Sequence, residues 1–424
     1  MTGAVATMVS ASTPTPPSPR VTSVDVMRGL TILAMIFVND IAGVPDTPAW
    51  LKHIQPPFAD GMTLVDVVFP AFLFIVGLSI PLALRSRQAK GETTRGTALH
   101  VLTRSLSLLV IGVFMVNAEH IASPGLLDEN LWNLLAYSGV ILFWLRWPPR
   151  GPQDARLQRV LQVAGVMVMA AAALLYRAEA GSGLFQMRTH WWGILGLIGW
   201  AYLVATLTYL LVRGNPSLLL AASAALFAFY IALEAGWVEW LHQTPPFGSA
   251  GPTLGSHGAL VLLGAFVGRM FLPETPRRTL AARALWGALA AAGFAVAGWL
   301  LYLPHERVPC LIINKILGTP PWCLLSAAIT AGCLVVVSLL VDRASPPAWS
   351  RLPELAGKNA LLAYILAPIL YAALGGFAEL TGTTNLLHLL ATPFALGLAR
   401  SIAMALLVTG IAAWLARRRI TLKI

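Results

Sequence analysis

The sequence predicts an all-α membrane protein, a polytopic helix bundle of about 11–12 transmembrane helices. Its 424 residues are 57% hydrophobic and 11% charged, and the mean hydropathy is +0.73. Soluble domains are about 45–50% apolar and about 25% charged. Because so apolar a chain cannot bury enough of its surface in water, most of it is expected to lie in a lipid bilayer.

A series of apolar runs carries this prediction, because about 20 apolar residues cross the hydrocarbon core of a membrane. We expect eleven or twelve of the runs to span, since the fourth and the eighth are short. The stretch from Leu380 to Pro393 is expected to be re-entrant or interfacial. The approximate limits of the twelve runs are 25–43, 64–84, 98–117, 131–147, 160–177, 190–212, 217–241, 256–272, 281–303, 322–341, 357–379 and 395–416.

Lys and Arg determine the predicted orientation, because they concentrate in cytoplasmic loops. The loops after the second, fourth and eighth runs are basic, whereas the alternate loops carry acidic residues and histidines. Both termini are therefore expected in the cytoplasm, and His53 outside it. The basic positions are Arg85, Arg87, Lys90, Arg95, Arg146, Arg150, Arg156, Arg159, Arg269, Arg277, Arg278, Arg283 and Arg417–Arg419; the alternate loops contain Glu119, Asp128, Glu129, Glu239, His242, Glu379 and His388.

Residues 1–20 are rich in Ser, Thr and Pro and lack the features of a signal peptide, so we expect a disordered cytoplasmic tail. Residues 21–424 are expected to form a single membrane domain, because no long linker or 20–50-residue repeat divides them. The net charge of +11 is distributed over loops and does not indicate nucleic-acid binding. The three cysteines have no CxxC spacing, so neither a disulfide framework nor a metal site is expected.

Polar residues interrupt the first two runs and make them the main functional candidates, because ionisable groups at membrane depth are rarely without a role. Arg28 and Asn39 are eleven residues apart, about three helical turns, so they share one face of the first helix. Asp25 falls close to that face. In the second run, Asp66 and Gly77 share a face on which a small residue lets another helix approach.

The residues in this region resemble a known family. The segments SVDVMRGLTILAMIFVN, a following KH, and GMTLVDVVFPAFLFIVGLS are similar to the first core helices and loop of the heparan-α-glucosaminide N-acetyltransferase-like transmembrane acyltransferases. Weaker similarities occur at Ile313–Lys315 with Thr319–Trp322, and at Gly357–Ala360. Some 50 residues match specifically, and the other helices match only in order and hydrophobicity.

The resemblance implies that His53 is the active-site residue, and its imidazole could act as a general base or as the acyl carrier. A surface histidine without a role is the alternative. Asn39 could orient the imidazole, stabilise an oxyanion or cap the helix end. Asp66 is a catalytic candidate too, although Thr63-Leu-Val-Asp66 also has the form of a capping box.

Donor and acceptor sites are expected at opposite ends of the helices. Asp25 and Arg28 could form a surface salt bridge, or Arg28 could meet the phosphates of coenzyme A at the cytoplasmic entry. Asn314 and Lys315 follow the ninth run on the other side. They could form a polar lid over the acceptor, and an ordinary loop turn explains them equally well.

We therefore expect an acyl-CoA-dependent O- or N-acyltransferase that takes acetyl from cytosolic acetyl-CoA, without a metal, and delivers it to an extracytoplasmic sugar or glycan. The resemblance favours an amino sugar as acceptor. The prokaryote-like layout favours the bacterial inner membrane, and a homodimer stays open. A transporter or flippase that uses the same polar stripe is the alternative.

The expected orientation can be tested with single cysteines in a background without the native ones. A cysteine at position 57 should react with a membrane-impermeant thiol reagent added outside, because the loop before the second helix faces out. A cysteine at position 91 should react only after permeabilisation. The opposite labelling pattern would invert the orientation and place His53 on the donor side.

Overall fold

The structure is a computed structural model that describes residues 21–121, 127–178, 185–238, 240, 250–276 and 279–424. The predicted tail and the loop residues Glu239, His242, Arg277 and Arg278 lie outside this range. Within it, the chain is a helical bundle with one two-residue antiparallel ladder, in which Leu145 pairs with Leu422. The predicted all-α membrane fold class is confirmed.

The helices stand where the apolar runs predict them, and ten within the described residues are long and apolar enough to cross a membrane. The first and fourth runs form helices too; the first carries Asp25, Arg28 and Asp40, and the fourth has only 16 residues. The bounds are α1 Thr22–Ile41, α2 Leu64–Ala89, α3 Thr94–Ala118, α4 Glu129–Trp144, β1 Leu145–Arg146, α5 Pro152–Leu175, α6 Gly193–Leu211, α7 Pro216–Glu234, α8 His257–Gly268, α9 Leu280–Tyr302, α10 Pro320–Val341, α11 Arg351–Gly357, α12 Ala360–Thr381, α13 Leu386–Leu389, α14 Phe394–Arg417 and β2 Thr421–Leu422.

Two details of the element boundaries differ from a simple series of spans. A π-helical turn, Gly251–Ser256, leads into α8 and lengthens it toward the membrane surface. The stretch from Leu380 to Pro393, expected to be re-entrant or interfacial, contains the end of α12 and the four-residue helix α13.

The centre of the bundle is the close pair α2 and α8. A Cβ added at Gly77 would collide with the carbonyl oxygen of Val261, and one at Gly264 with that of Phe74. Small residues allow helix backbones to approach this closely in a membrane, where lipid gives helices no hydrophobic reason to associate. The expectation that the Gly77 face admits a neighbouring helix is correct.

The two ends of α1 are fixed by different partners. At its start, Ser23 hydrogen-bonds the Asp342 carboxylate that follows α10. At its end, the buried Asp40 accepts hydrogen bonds from Arg400, Ser401 and Tyr371, at 2.8, 2.6 and 3.0 Å. Because these contacts join helix ends that the alternating topology places on the same side, they agree with the predicted order of crossings.

Close packing of α2 on α8 predicts that two glycine substitutions differ in their effect on stability. Gly77→Ala should lower the free energy of unfolding by about 1–3 kcal/mol, because its methyl group meets backbone that must move. Gly410→Ala on α14 meets nothing within 4 Å and should leave stability unchanged or raise it slightly. Thermal unfolding of the purified protein measures both. Equal shifts would contradict the close approach at Gly77.

Candidate active site

The central feature of the site is a histidine–carboxylate pair in front of α2. His53 Nδ1 lies 2.6 Å from Asp66 Oδ1. The Asp66 side chain is 1% exposed, whereas that of His53 is 45% exposed. One partner is thus fixed in the protein, and the other is open to an approaching molecule.

Asp66 is held in place by the first turn of its own helix. Its second oxygen, Oδ2, accepts hydrogen bonds from the backbone N–H groups of Thr63 and Ile54, at 3.0 and 3.1 Å. Thr63 and Asp66 together form the capping box anticipated in the sequence. The same carboxylate therefore caps α2 with one oxygen and faces His53 with the other.

The pairing determines which ring nitrogen of His53 is available. An ionised carboxylate only accepts hydrogen bonds, so the neutral imidazole places its proton on Nδ1 and donates it to Asp66. The lone pair then resides on Nε2. A half-exposed basic nitrogen, backed by a buried carboxylate, is the arrangement required of a general base.

Lys315 joins this pair from the loop after α9. Its Nζ lies 3.3 Å from both ring nitrogens of His53. An ammonium in the ring plane could approach one nitrogen along its lone pair but not both equally, so Lys315 lies over the face of the ring. Burial lowers the pKa of the Lys315 ammonium below its usual value, and the charge of Asp66 opposes this shift.

Asn314 supports the site from behind. Its side chain is fully buried, and its Nδ2 donates to the carbonyl oxygens of Pro57 and Ala59, at 3.0 and 2.9 Å. Its Oδ1 accepts the N–H of Leu317 at 2.9 Å. In this structure the Asn314 amide therefore positions the loop that carries His53, and it does not face an acceptor as a lid residue would.

Further contacts between the same two segments were not anticipated from the sequence. The Asp60 carboxylate accepts hydrogen bonds from the Tyr302 hydroxyl at 2.7 Å and the Ile313 N–H at 2.8 Å. The Trp322 indole donates to the backbone oxygen of Asp66 at 3.1 Å. In the sequence, Asp60 is recognisable only as a carboxylate in a polar loop, because its partners Tyr302 and Ile313 lie some 250 residues away.

Arg28 and Asp25 lie at the other end of the bundle. Arg28 donates to Asp25 at 3.0 Å, to the Ser79 hydroxyl at 2.6 Å and to the Gly357 carbonyl at 3.3 Å. The salt bridge considered in the sequence is thus present. The contacts to Ser79 and Gly357 also fix the guanidinium at the wall of a cavity.

Two connected cavities open at this end. The outer part, of about 810 Å³, and the inner part, of about 350 Å³, share Arg28, Ser79 and Lys358 in their walls. We call them together the basic cavity. Its basic residues are Arg28, Arg104, Lys358, Arg419 and Lys423.

Asn39 lines a third cavity, of about 350 Å³, near the other end of α1. We call it the polar cavity, because Glu119, Asn130 and Asn133 line it as well. Tyr364 lines both this cavity and the inner part of the basic cavity. Burial raises the pKa of the Glu119 carboxyl.

The structure thus groups the predicted residues into three places. His53, Asp66 and Lys315 form one cluster with Asn314 behind it, Asp25 and Arg28 form a second, and Asn39 stands in the polar cavity. Asn39 is exposed there and makes no hydrogen bond to the His53 cluster within the described part of the chain. The same part contains no cluster of three or more His, Cys, Asp or Glu side chains that could hold a metal ion.

Comparison with known proteins gives one family and two relatives. Residues 20–242, more than half of the chain, match the family described as Domain of unknown function (DUF5009). The chain is 36% identical over 107 residues to heparan-alpha-glucosaminide N-acetyltransferase from Homo sapiens and 36% identical over 106 residues to the Mus musculus protein. Each match covers 25% of this chain and 15% of the relative's length.

The role found for Asn314 can be tested separately from chemistry. Asn314→Ala should speed amide hydrogen exchange across residues 54–61, because the Pro57 and Ala59 carbonyls lose the hydrogen bonds that Asn314 donates, a loss of about 2 kcal/mol for the two bonds. Lys315→Ala is the matched control and should leave exchange in that segment unchanged. Unchanged exchange in Asn314→Ala would exclude the positioning role.

Proposed function

Because the chain belongs to the heparan-α-glucosaminide N-acetyltransferase-like family, whose DUF5009 model it matches, we propose that it is a membrane-embedded acyltransferase. In this proposal it moves an acyl group, acetyl in the first place, from cytoplasmic acetyl-CoA to an amine or hydroxyl of a sugar on the other side of a bacterial inner membrane. The observation that carries the proposal is the His53–Asp66 pair, a poised base at the membrane face opposite the basic cavity.

His53 acts as the general base in this reaction. Its Nε2 takes the proton from the acceptor as the amine or hydroxyl attacks the thioester carbonyl, and Asp66 stabilises the imidazolium that forms. The tetrahedral intermediate then expels the coenzyme A thiolate, which receives the proton from Nε2. In this proposal Lys315, whose Nζ lies 3.3 Å from the ring nitrogens, stabilises the negative oxygen of the intermediate.

The basic cavity is the proposed site of acetyl-CoA. Its phosphates would be costly in the bilayer core, so they remain at the mouth, near Lys358, Arg419 and Lys423. Arg28 is held at the boundary between the outer and inner parts, where it can meet a phosphate with its remaining N–H groups. In this proposal the uncharged pantetheine arm extends along the inner part past Tyr364, and the thioester must then reach His53, which is not in the wall of either cavity.

The polar cavity is the proposed entry of the acceptor. Amides and carboxylates from Asn39, Asn130, Asn133 and Glu119 supply donors and acceptors for the hydroxyl groups of a sugar. We place the amide of Asn39, which has no hydrogen-bond partner among the described residues, against the acceptor. N- and O-acylation need the same base, and the proposal covers both.

A transporter or flippase is the second candidate. The observation that favours it is Tyr364, which lies between cavities that open toward opposite ends of α1. A substrate path through the membrane would need such a chain of cavities. Release of coenzyme A by the purified protein distinguishes the two, because a transporter does not cleave its substrate.

The decisive measurement is coenzyme A release from acetyl-CoA with a panel of amino sugars and neutral sugars. His53→Ala should abolish release, because the base is lost. Asp66→Asn should lower the rate by about 10²–10⁴, since the amide no longer stabilises the imidazolium. His388→Ala, an exposed histidine outside the cluster, is the matched control and should keep full activity. Full turnover in His53→Ala would remove the pair from the mechanism.

Kinetics with both substrates varied test whether the acyl group is transferred directly. We expect direct attack, so double-reciprocal plots with both substrates varied should intersect, as for a ternary complex. Parallel lines would contradict direct attack. Radiolabel retained on the denatured protein after acetyl-CoA alone, and absent in His53→Ala, would support an acetyl-imidazole intermediate instead.

A further inference from the structure

Two more cavities lie on the side of the bundle where α6 to α9 meet parts of α2 and α10. Their wall residues are absent from the walls of the basic and polar cavities. The first, of about 840 Å³, opens at the end of the bundle that carries the basic loops, and we call it the head cavity. The second, of about 620 Å³, runs between α7 and α9, and we call it the chain groove. Neither takes part in the proposed acyl transfer.

The head cavity carries a positive charge. Arg85, Arg213 and Arg269 line it together with a single carboxylate, Glu274. Arg85 pairs with Glu274, and Arg269 donates to the carbonyl oxygen of Gly214. Arg213 is exposed, and its side chain has no hydrogen-bond or ion-pair partner among the described residues. Its guanidinium is therefore free to bind an anion.

The turn between α6 and α7 determines where Arg213 stands. Arg213 has a left-handed backbone with φ of 51°, and Gly214 follows with φ of 64°. Asn215 then caps α7 by accepting the N–H groups of Ser217 and Leu218. These contacts hold Arg213 at the rim of the cavity.

The chain groove has the opposite character. Its walls are mostly apolar. The hydroxyl of Ser223 in the wall donates a hydrogen bond to the carbonyl oxygen of Leu219. It follows α9 from Trp286 to Leu301, a helical rise of about 22 Å out of the ~30 Å hydrocarbon core. A Cβ at Gly293, in its wall, would meet nothing within 4 Å. The groove is therefore long and open enough for a lipid tail.

The two cavities are neighbours in the bundle. Phe266 and Trp286 line both, with their ring centroids 5.3 Å apart. A ligand that fills both must carry an anionic group at one end and a long apolar chain at the other. We propose that this side of the protein binds an anionic phospholipid, with its phosphate at Arg213 and one tail in the chain groove. Basic pockets between helices recognise lipid phosphates in this way.

The test compares phosphatidylglycerol with phosphatidylcholine of identical tails, titrated into the purified full-length protein and counted by native mass spectrometry. The wild type should bind phosphatidylglycerol several times more tightly. Arg213→Gln should weaken phosphatidylglycerol about fivefold, the effect of one basic side chain near an anionic head group. Arg351→Gln, an exposed arginine outside both cavities, should change nothing.

A second pair of variants tests the groove. Gly293→Trp should abolish retention of the lipid by filling the path of its tail. Gly332→Trp on α10, where an added Cβ also meets nothing within 4 Å, is the matched control and should bind like the wild type. Gly293→Leu, a smaller change, should weaken binding if the larger one prevents folding. Equal affinity for both lipids in the wild type, or unchanged binding in both Gly293 variants, would overturn the proposal.

Discussion

The buried carboxylate of Asp66 is the interaction on which the site depends. A carboxylate that is only 1% exposed is stable in the protein only if its oxygens accept hydrogen bonds. Those of Asp66 accept them from the backbone N–H groups of Thr63 and Ile54, from the Thr63 hydroxyl and from His53. The same contacts start α2, close the loop before it and set the His53 tautomer. The start of α2 and the orientation of the His53 imidazole therefore depend on the same carboxylate.

A second segment makes this arrangement rigid. The loop between α9 and α10 contributes Asn314 and Lys315 and is followed by Trp322, and each contacts the segment from His53 to Asp66. Asn314 is buried and Lys315 is partly exposed beside His53, so these neighbouring residues are divided between the interior and the surface. This division also explains why a pair of adjacent polar residues need not share one role.

The sequence predicts the helices well, because hydropathy is a local property of about 20 residues. It also predicts the capping box at Thr63 and Asp66, whose spacing is local. It could not reveal the contacts of Asp60 with Tyr302 or of Asp40 with Arg400, since these partners are far apart in the chain. Asn314 illustrates the same limit, because only the fold determines whether an amide faces a ligand or a buried carbonyl.

The composition of the site also limits its chemistry. In hydrolases that form an acyl-enzyme, a serine or cysteine lies against the histidine base. Here the described neighbours of the His53 ring are Asp66 and Lys315. A base without a side-chain nucleophile must activate a nucleophile supplied by a substrate, unless the imidazole itself is acylated. The exposed Nε2, the Nδ1 proton held by Asp66 and the nearby ammonium all suit an incoming amine or hydroxyl, which is why we propose direct transfer and not an acyl-imidazole.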